Sequence, residues 1–520
     1  MTSGFYPLPF QESLRLSEIV RELDVLEIAG AEYAERMIVS LAVDSREVSS
    51  GSLFVAIRGF ASDGHGYISE AVRRGAVAVI CEALPEDNGT EAVYIRVADS
   101  RRALAAAARA FYRNASGQIL LIGVTGTNGK TTTARLIADM LNSCGIPAGY
   151  IGTNLCRIGD RDIFLERTTP EAHELQALFR CMLDAGCQAA VMEVSSHALV
   201  LDRVRGLRFR GAVFTNLSME HLDFHQTMEG YAEAKQILFD QLDPEGFAVF
   251  NIDDPYALQM ASRVPEDKRL CCTLKPEKTS AFRCGRSFSA TVSSRTLGSS
   301  FVELHFPEAL HTVQTDLPGM YNVMNLLEAA AAVSGMGIMP EEVAAVLGKP
   351  FRVEGRMERI WDIEKSRCAF VDYAHTPDAL EKALSALGEL KSLDARLVVV
   401  FGCGGNRDRL KRPEMGRIAG EKADFVFLTS DNPRNESPEL ILDEIESGLE
   451  GKNYRRITGR EEAIREAVAA LLPGDILLVA GKGHETYQEI GGIKHFFSDQ
   501  EILRECLQKG SFTAPEKERS

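Results

Sequence analysis

The chain has 520 residues, 45% of them hydrophobic and 25% charged, with eleven cysteines and a formal net charge of -16 at pH 7. It is too long for one core and calls for about three domains, and its acidity argues against a sequence-independent grip on nucleic acid. A secretory leader and a membrane-length apolar run are not seen, and cysteines without a CxxC spacing suggest reduced, packed thiols in a cytoplasmic protein, not a disulfide frame.

Residues 1–113 read as a small α/β unit. Helical spacing over Leu14–Leu26 precedes strands at Leu41–Val43 and Leu53–Ile57, a helix over Ile68–Arg74 and a strand at Val77–Ile80. Asp44-Ser45-Arg46 and the Gly59–Gly66 loop stand at strand ends, where α/β sheets tend to bind ligands; two ordinary turns would read the same way. An alanine-rich helix, Arg101–Arg113, leads into a second unit, 114–349.

That unit opens on QILLIGVTGTNGKTTTARLIADM (118–140): a buried strand, a glycine-punctuated loop and an amphipathic helix. Glycines at 126 and 129 let backbone N–H groups approach phosphate oxygens at a helix N-terminus. Lys130 adds a cation and Thr131 a hydroxyl for Mg²⁺. A nucleoside triphosphate site is the reading, and an unliganded Gly-rich turn the alternative. The usual phosphate loop has glycine where this chain has Val124.

Strands AAVMEV, AVFTN and FAVFNI follow, near-continuous apolar runs that predict a parallel sheet covered on both faces. Polar groups gather at their ends: Glu193 before Ser195, Ser196 and His197, then Glu220, His221, Asp223 and His225 in TNLSMEHLDFH. On the next helix Lys235 falls inside the apolar stripe of Tyr231, Leu238 and Leu242. A lysine there must snorkel, pair with an anion or be modified. Residues 276–315 are β-leaning, with no functional reading. LPGMYNVMNLLEAAAAV (317–333) predicts a helix whose Asn322 is either a cap or a reader of an adenine edge.

The third unit, 350–520, repeats the parallel-sheet logic with strands at Cys368–Asp372, Leu397–Phe401, Phe425–Leu428 and Ile476–Ala480. Their loops, DYAHTP, GCGGNRDRLKRP, TSDNPRNE and GKGHETYQ, form a crevice mixing arginines with carboxylates, suited to a zwitterionic or multiply charged small molecule. GKGHE could be a second phosphate loop, but lacks the Ser/Thr after lysine. The polar tail 513–520 is expected to fray.

Together TGTNGKTT (125–132), EVSSH (193–197), NLSMEHLDFH, YAEAKQILF, LPGMYNVMN, VEGRME (353–358), DYAHTP and SDNPR resemble the Mur ligase family, in order and over most of the chain. Within it they look most like the branch that adds meso-2,6-diaminopimelate to UDP-N-acetylmuramoyl-L-alanyl-D-glutamate in peptidoglycan precursor synthesis. The family places its glycine at Gly126, which accounts for Val124. The resemblance implies an α/β fold of three domains. These are a UDP-substrate-binding domain (1–113), a central P-loop ATPase domain (114–349) and a C-terminal Rossmann-like amino-acid-binding domain (350–520). The implied reaction is ATP-driven amide formation through an acyl phosphate, with Mg²⁺ as cofactor.

The resemblance also implies roles. Gly126, Thr127, Asn128, Gly129, Lys130, Thr131 and Thr132 would hold ATP phosphates, Asn322 the adenine and Asp372 the ribose, with Arg356 a phosphate-side cation. Thr131, Glu193, His221 and a carbamylated Lys235 would serve the metal. Val43, Ser45, Phe60, Ala61 and Ser62 would line the uridine pocket, and Thr168, Thr169, Ser195 and Arg203 the muramoyl-dipeptide; the chain departs from some relatives at Phe60, Ala61 and Leu201. Arg407, Asp431, Asn432, Pro433, Arg434, Gly481 and Glu485 would take diaminopimelate. Competing readings are a lysine-adding or folylpolyglutamate-type sibling, which the intact SDNPR disfavours, and a switch ATPase, for which no NKxD motif is found.

Overall fold

The computed structural model describes residues 12–508 except 31, 60–61, 87–90, 281, 349–352, 365, 450 and 452. The roles expected of Phe60 and Ala61, the 349/350 boundary and the tail lie outside the described residues.

Three sheets organise the chain. In the first, Val25–Gly30, Val93–Val97, Ala76–Cys81, Ser52–Val55 and Ser40–Ala42 lie in that order, the first pair antiparallel and the rest parallel. The helix expected over 14–26 shrinks to Leu16–Val20. Val25-Leu26-Glu27-Ile28 instead pairs along Val93–Val97, cross-strand partners overriding local helical spacing.

The second sheet has eleven strands. Leu120–Thr125 lies at its centre between Ala189–Glu193 and Phe209–Phe214, parallel to both. Both faces are covered, as the apolar runs require. Ile122, Val124, Val191 and Val249 pack under helices Lys130–Ser143 and Met320–Gly335. Leu121, Phe209 and Phe214 pack under Ala172–Asp184 and Met228–Asp240. Residues 276–315 supply the far edge. Arg286–Arg295, Ser300–His305 and Leu310–Thr315 form an antiparallel meander whose middle strand alternates buried and more exposed residues. The expectation of uniformly reduced cysteines fails at one pair. Cys271 and Cys284 are disulfide-bonded, because the turn into Arg286 folds back beside Arg269–Thr273, bringing their Cα atoms within 6.1 Å. Cys81, Cys156, Cys187, Cys272, Cys368, Cys403 and Cys506 are free thiols.

In the third sheet the order is Glu358–Trp361, Cys368–Asp372, Ile476–Ala480, Leu397–Phe401, Phe425–Leu428 and Tyr454–Arg456, with only the first strand antiparallel. A fully buried ion pair braces the ends of these strands. Arg460 meets Asp499 through two charge-assisted bonds of 2.8 and 2.7 Å and donates to the Ala480 carbonyl at 3.0 Å. Asp499→Ala would strand a buried guanidinium, so it is expected to cost about 3–5 kcal/mol of stability, read as a lowered urea midpoint. No helix among the described residues is long and apolar enough to cross a membrane.

Candidate active site

The phosphate loop leaves the central strand at Gly126, which has φ +147°. A Cβ there would sit 1.9 Å from the Thr215 hydroxyl, so only glycine lets the loop turn against the neighbouring strand end. Side chains then fix the loop. Thr215 Oγ1 donates to the Asn128 carbonyl at 2.6 Å, Asn128 N–H donates to Asn216 Oδ1 at 3.0 Å, and Ser218 N–H donates to Thr127 Oγ1 at 3.0 Å. Lys130 folds back over the loop, its ammonium donating to the carbonyls of Gly126 and Thr127 at 3.0 and 2.8 Å. Burial lowers its pKa, while Glu220 and Glu193 oppose the shift. Behind it runs the fourteen-residue helix Lys130–Ser143, whose N-terminus favours an anion.

Lys235 does not snorkel. It is 1% exposed, donates to the Gly126 carbonyl at 2.8 Å and lies 4.4 Å from the Tyr231 ring centre. Lys130 and Lys235 therefore share one carbonyl oxygen. Burial first, then the charge of Lys130, pushes the Lys235 pKa well below its ordinary value, with Glu220 opposing. Both causes favour the unprotonated amine, which is the nucleophilic form. Glu220 lies 3.7 Å from His221 Nε2 and 3.9 Å from His375 Nε2, a contact that reaches into the third unit, although burial lowers the pKa of both histidines. His221 holds a left-handed backbone, φ +57°, its ring edge-on to His197.

Glu193, at the end of its strand, is held by the Tyr150 hydroxyl at 2.7 Å and by the Thr153 N–H at 3.0 Å. Thr131 Oγ1 accepts from Arg356 Nη2 at 2.8 Å, and the Arg356 guanidinium lies over the Tyr373 ring. Beside the loop a cleft of about 330 Å³ is lined by Asn128, Gly129, Thr132, Asn322 and Asp372. Asn322 spends its amide on the Pro318 carbonyl at 2.8 Å, and Asp372 accepts from the N–H groups of Met357 and Ala374 at 2.7 and 2.9 Å.

A larger cleft, about 930 Å³, joins the first unit to the second. Val43, Ser45 and Ser62 line it together with Arg46, Arg74, Arg101 and Arg167. Next in sequence to its Pro170–Glu171 wall, though not among its lining, Thr169 Oγ1 donates to the Glu193 carbonyl at 2.9 Å and meets Ser195 Oγ at 3.3 Å. Thr168 Oγ1 is 3.2 Å from Thr153 Oγ1, and Arg203 donates to the Thr169 carbonyl and pairs with Glu171. Leu201 ends the short helix Ser196–Val200.

In the third unit Asn432 Nδ2 donates to Glu485 at 2.9 Å, and buried Lys482 bridges Asn432 Oδ1 and Glu485 at 3.0 and 3.2 Å. Asp431 Oδ2 is buried without a partner, and a Cβ on Gly481 would lie 2.7 Å from it. Arg434, after Pro433, donates to the Gly405 carbonyl at 2.9 Å and lies 3.4 Å from Glu489. Arg434 Nη1 and the Arg407 side chain both border Gly404, and burial first, then the Arg434 charge, lowers the pKa of Arg407. Glu489 faces this pair of cations with a single carboxylate.

The two sites touch. Asn128 Nδ2 donates to Asp378 at 2.5 Å, Ser218 Oγ donates to the same carboxylate at 3.2 Å, and His484 Nε2 is 3.2 Å from the Thr153 carbonyl. The sequence reading did not single out Tyr150, Thr153, Asp378 or Lys482. Thr153 stands just past a strand end and was open to the rule that found Glu193; Asp378 lies in the first turn of Pro377–Gly388, where acids are ordinary.

Three family descriptions match the chain: "Mur ligase family, catalytic domain" over residues 37–112, "Mur ligase middle domain" over 124–333, and "Mur ligase, glutamate ligase domain" over 355–483. A UDP-N-acetylmuramoyl-L-alanyl-D-glutamate–2,6-diaminopimelate ligase of Chlorobium phaeobacteroides is 59% identical over 505 residues, which span 97% of this chain and 99% of that one. The chain belongs to the Mur ligase family. A similarly named ligase of Chlorobaculum tepidum is 57% identical over 95% of this chain and 97% of its own. A solved structure of an enzyme with that name aligns at TM-score 0.65 and 33% identity, covering 95% of this chain and 99% of that one. The Mur ligase fold extends further. A D-alanyl-D-alanyl-adding ligase from Acinetobacter baumannii, 18% identical, aligns at TM-score 0.63 over 92% of this chain and 97% of its own.

Proposed function

We propose that this Mur ligase joins meso-2,6-diaminopimelate to the D-glutamate of UDP-N-acetylmuramoyl-L-alanyl-D-glutamate, driven by ATP, in peptidoglycan precursor synthesis in the cytoplasm. The observation that carries the reading is the strand-end cluster where Arg434 Nη1 and the Arg407 side chain both border Gly404, Asn432 Nδ2 donates to Glu485, and Asp431 Oδ2 has no hydrogen-bond partner. It offers cations for a carboxylate and acids for an ammonium, the two groups of an amino-acid head. Diaminopimelate carries a second such head and lysine only an ammonium, which paired arginines would repel. The names borne by relatives at 57–59% identity support the same substrate.

In this reading residues 1–113 and the 930 Å³ cleft take the UDP-substrate, 114–349 the nucleotide and 350–520 the amino acid. Lys130 exchanges its loop carbonyls for ATP phosphate oxygens, with Asn322 at the adenine and Asp372 at the ribose. Thr168, Thr169, Ser195 and Arg203 orient the glutamyl carboxylate, which takes the γ-phosphate to become an acyl phosphate. The amine held by the Asp431–Arg434 loop attacks that carbon, and phosphate leaves. Arg356 and Lys130 stand where negative charge builds, and the contacts between the units hold the reactants close.

Thr131 and Glu193, with Lys235 once carbamylated, offer the oxygen donors that suit Mg²⁺, and the His221 nitrogen would stand beside them as a less ordinary ligand. Among the described residues no three of His, Cys, Asp or Glu converge on a cage, and Mg²⁺ is ordinarily held by one or two carboxylates with phosphate oxygens. When bound it neutralises phosphate charge.

ADP release measured with the UDP-dipeptide and a panel of amino acids tests the reading. Diaminopimelate is expected to give the highest kcat/KM; preference for lysine or glutamate would overturn it. Arg434→Ala is expected to raise KM for diaminopimelate by roughly 10–100-fold, the loss of a charge-assisted pair, with KM for ATP unchanged.

A further inference from the structure

Arg434 is one of nine described non-glycine residues at positive φ, at +54°. A left-handed backbone at a long side chain is unfavourable and persists only where its surroundings impose it. The imposing element is the hairpin Tyr487–Ile490 and Ile493–Phe496. Arg434 N–H donates to the Glu489 carbonyl at 3.0 Å, and Gly491 N–H donates to the Arg434 carbonyl at 2.7 Å, so the arginine's two backbone polar groups both end on one hairpin. The same strand reaches the rest of the loop. Glu489 N–H donates to Asn432 Oδ1 at 2.9 Å, and Gln488 Nε2 donates to the Asp431 carbonyl at 2.7 Å. The Glu489 carboxylate lies 3.4 Å from the Arg434 guanidinium, holding it near the crevice. Elsewhere the hairpin makes looser contacts: Lys482 lies 5.4 Å from the Tyr487 ring centre and Lys494 5.6 Å from that of Phe164, while Ile490, Ile493 and Phe496 are exposed, and Gly491 and Gly492, at φ +58° and +77°, make its tight turn.

We infer that this hairpin is the positioning element for amino-acid selection. It locks the Asp431–Arg434 loop in the one backbone conformation that aims Arg434 at the incoming carboxylate, without itself touching ATP or the UDP-substrate. Gln488, Glu489 and Gly491 are then positioning residues acting through Arg434. The inference rests on the proposed assignment of that loop to diaminopimelate.

The test is Gly491→Pro, which removes the donor to Arg434 and cannot adopt the turn's positive φ, at an exposed site with no atom within 4 Å of a Cβ. Gln488→Ala is the milder companion. KM for diaminopimelate is expected to rise at least tenfold in Gly491→Pro and about threefold in Gln488→Ala, with KM for ATP and the UDP-dipeptide within twofold of the parent. In an Arg434→Ala background the same substitutions are expected to add less than twofold. An unchanged diaminopimelate KM in both variants, with Arg434→Ala impaired, would overturn the inference and leave the loop assignment standing. Equal losses in both backgrounds, or equal rises in all three KM values, would overturn it too. Full diaminopimelate turnover by Arg434→Ala would instead remove the assignment, and the inference with it.

Discussion

Lys130→Ala is expected to lower kcat/KM for ATP by roughly 10³-fold, the scale of removing a charged group from a pre-organised transition-state site. Its ammonium rests on the carbonyls of Gly126 and Thr127, two atoms of the loop it would serve, so the cation is stored at the point where phosphate oxygens arrive. The loop itself should survive, because Thr215, Asn216 and Ser218 hold it independently. The variant should therefore keep its thermal midpoint while losing turnover and ATP-dependent stabilisation. A folded Lys130→Ala protein with parental kcat/KM would remove the phosphate loop from the chemistry.

The second large effect concerns Lys235. Alanine there is expected to cost roughly 10²-fold in kcat, as when a group that supports a metal site is lost, and short-chain carboxylates such as acetate should restore part of it. The physical case is the sharing of the Gly126 carbonyl by two lysines. With the Lys235 pKa well below that of a free lysine, the unprotonated amine can add to carbon dioxide, a proton leaves, and a carboxylate replaces a poorly tolerated cation. Added bicarbonate should then raise wild-type activity and leave Lys235→Ala unaffected. The sign for stability follows from the same shift. Below about pH 10.5 the unfolded chain binds a proton that the unmodified native amine does not, so unmodified protein loses stability as pH falls towards the depressed native value. Carbamylation should flatten that slope. A well-folded Lys235→Ala protein that no carboxylate rescues would reduce Lys235 to a packing residue.

Much of this architecture was legible because strand ends carry the chemistry. Cys368–Asp372, Leu397–Phe401, Phe425–Leu428 and Ile476–Ala480 stand as read, since strands buried on both faces announce themselves as apolar runs. Lys235 was visible as a charge in an apolar stripe, yet its sharing of the Gly126 carbonyl with Lys130 was not, because nothing local couples residues 109 apart. Val25–Gly30 was missed for a related reason: its partner, Val93–Val97, is distant in sequence, and the local pattern favoured a helix. The Cys271–Cys284 bond likewise depends on a strand register that spacing alone does not reveal. The phosphate loop was legible as a motif, since the spacing of Gly126, Gly129 and Lys130 marks it without any distant partner.

The bonds from Asn128 and Ser218 to Asp378, and from Arg356 to Thr131, have a pharmacological consequence. On the proposed reading they join the nucleotide seat to the unit that delivers the amine. A wedge-shaped inhibitor lodged at this seam, resembling neither ATP nor an amino acid, would part the two halves of the reaction. It would not have to outcompete cellular ATP. A substitution that loosened the drug's hold on Asn128 or Arg356 would also remove a bond across this seam, to Asp378 or to Thr131.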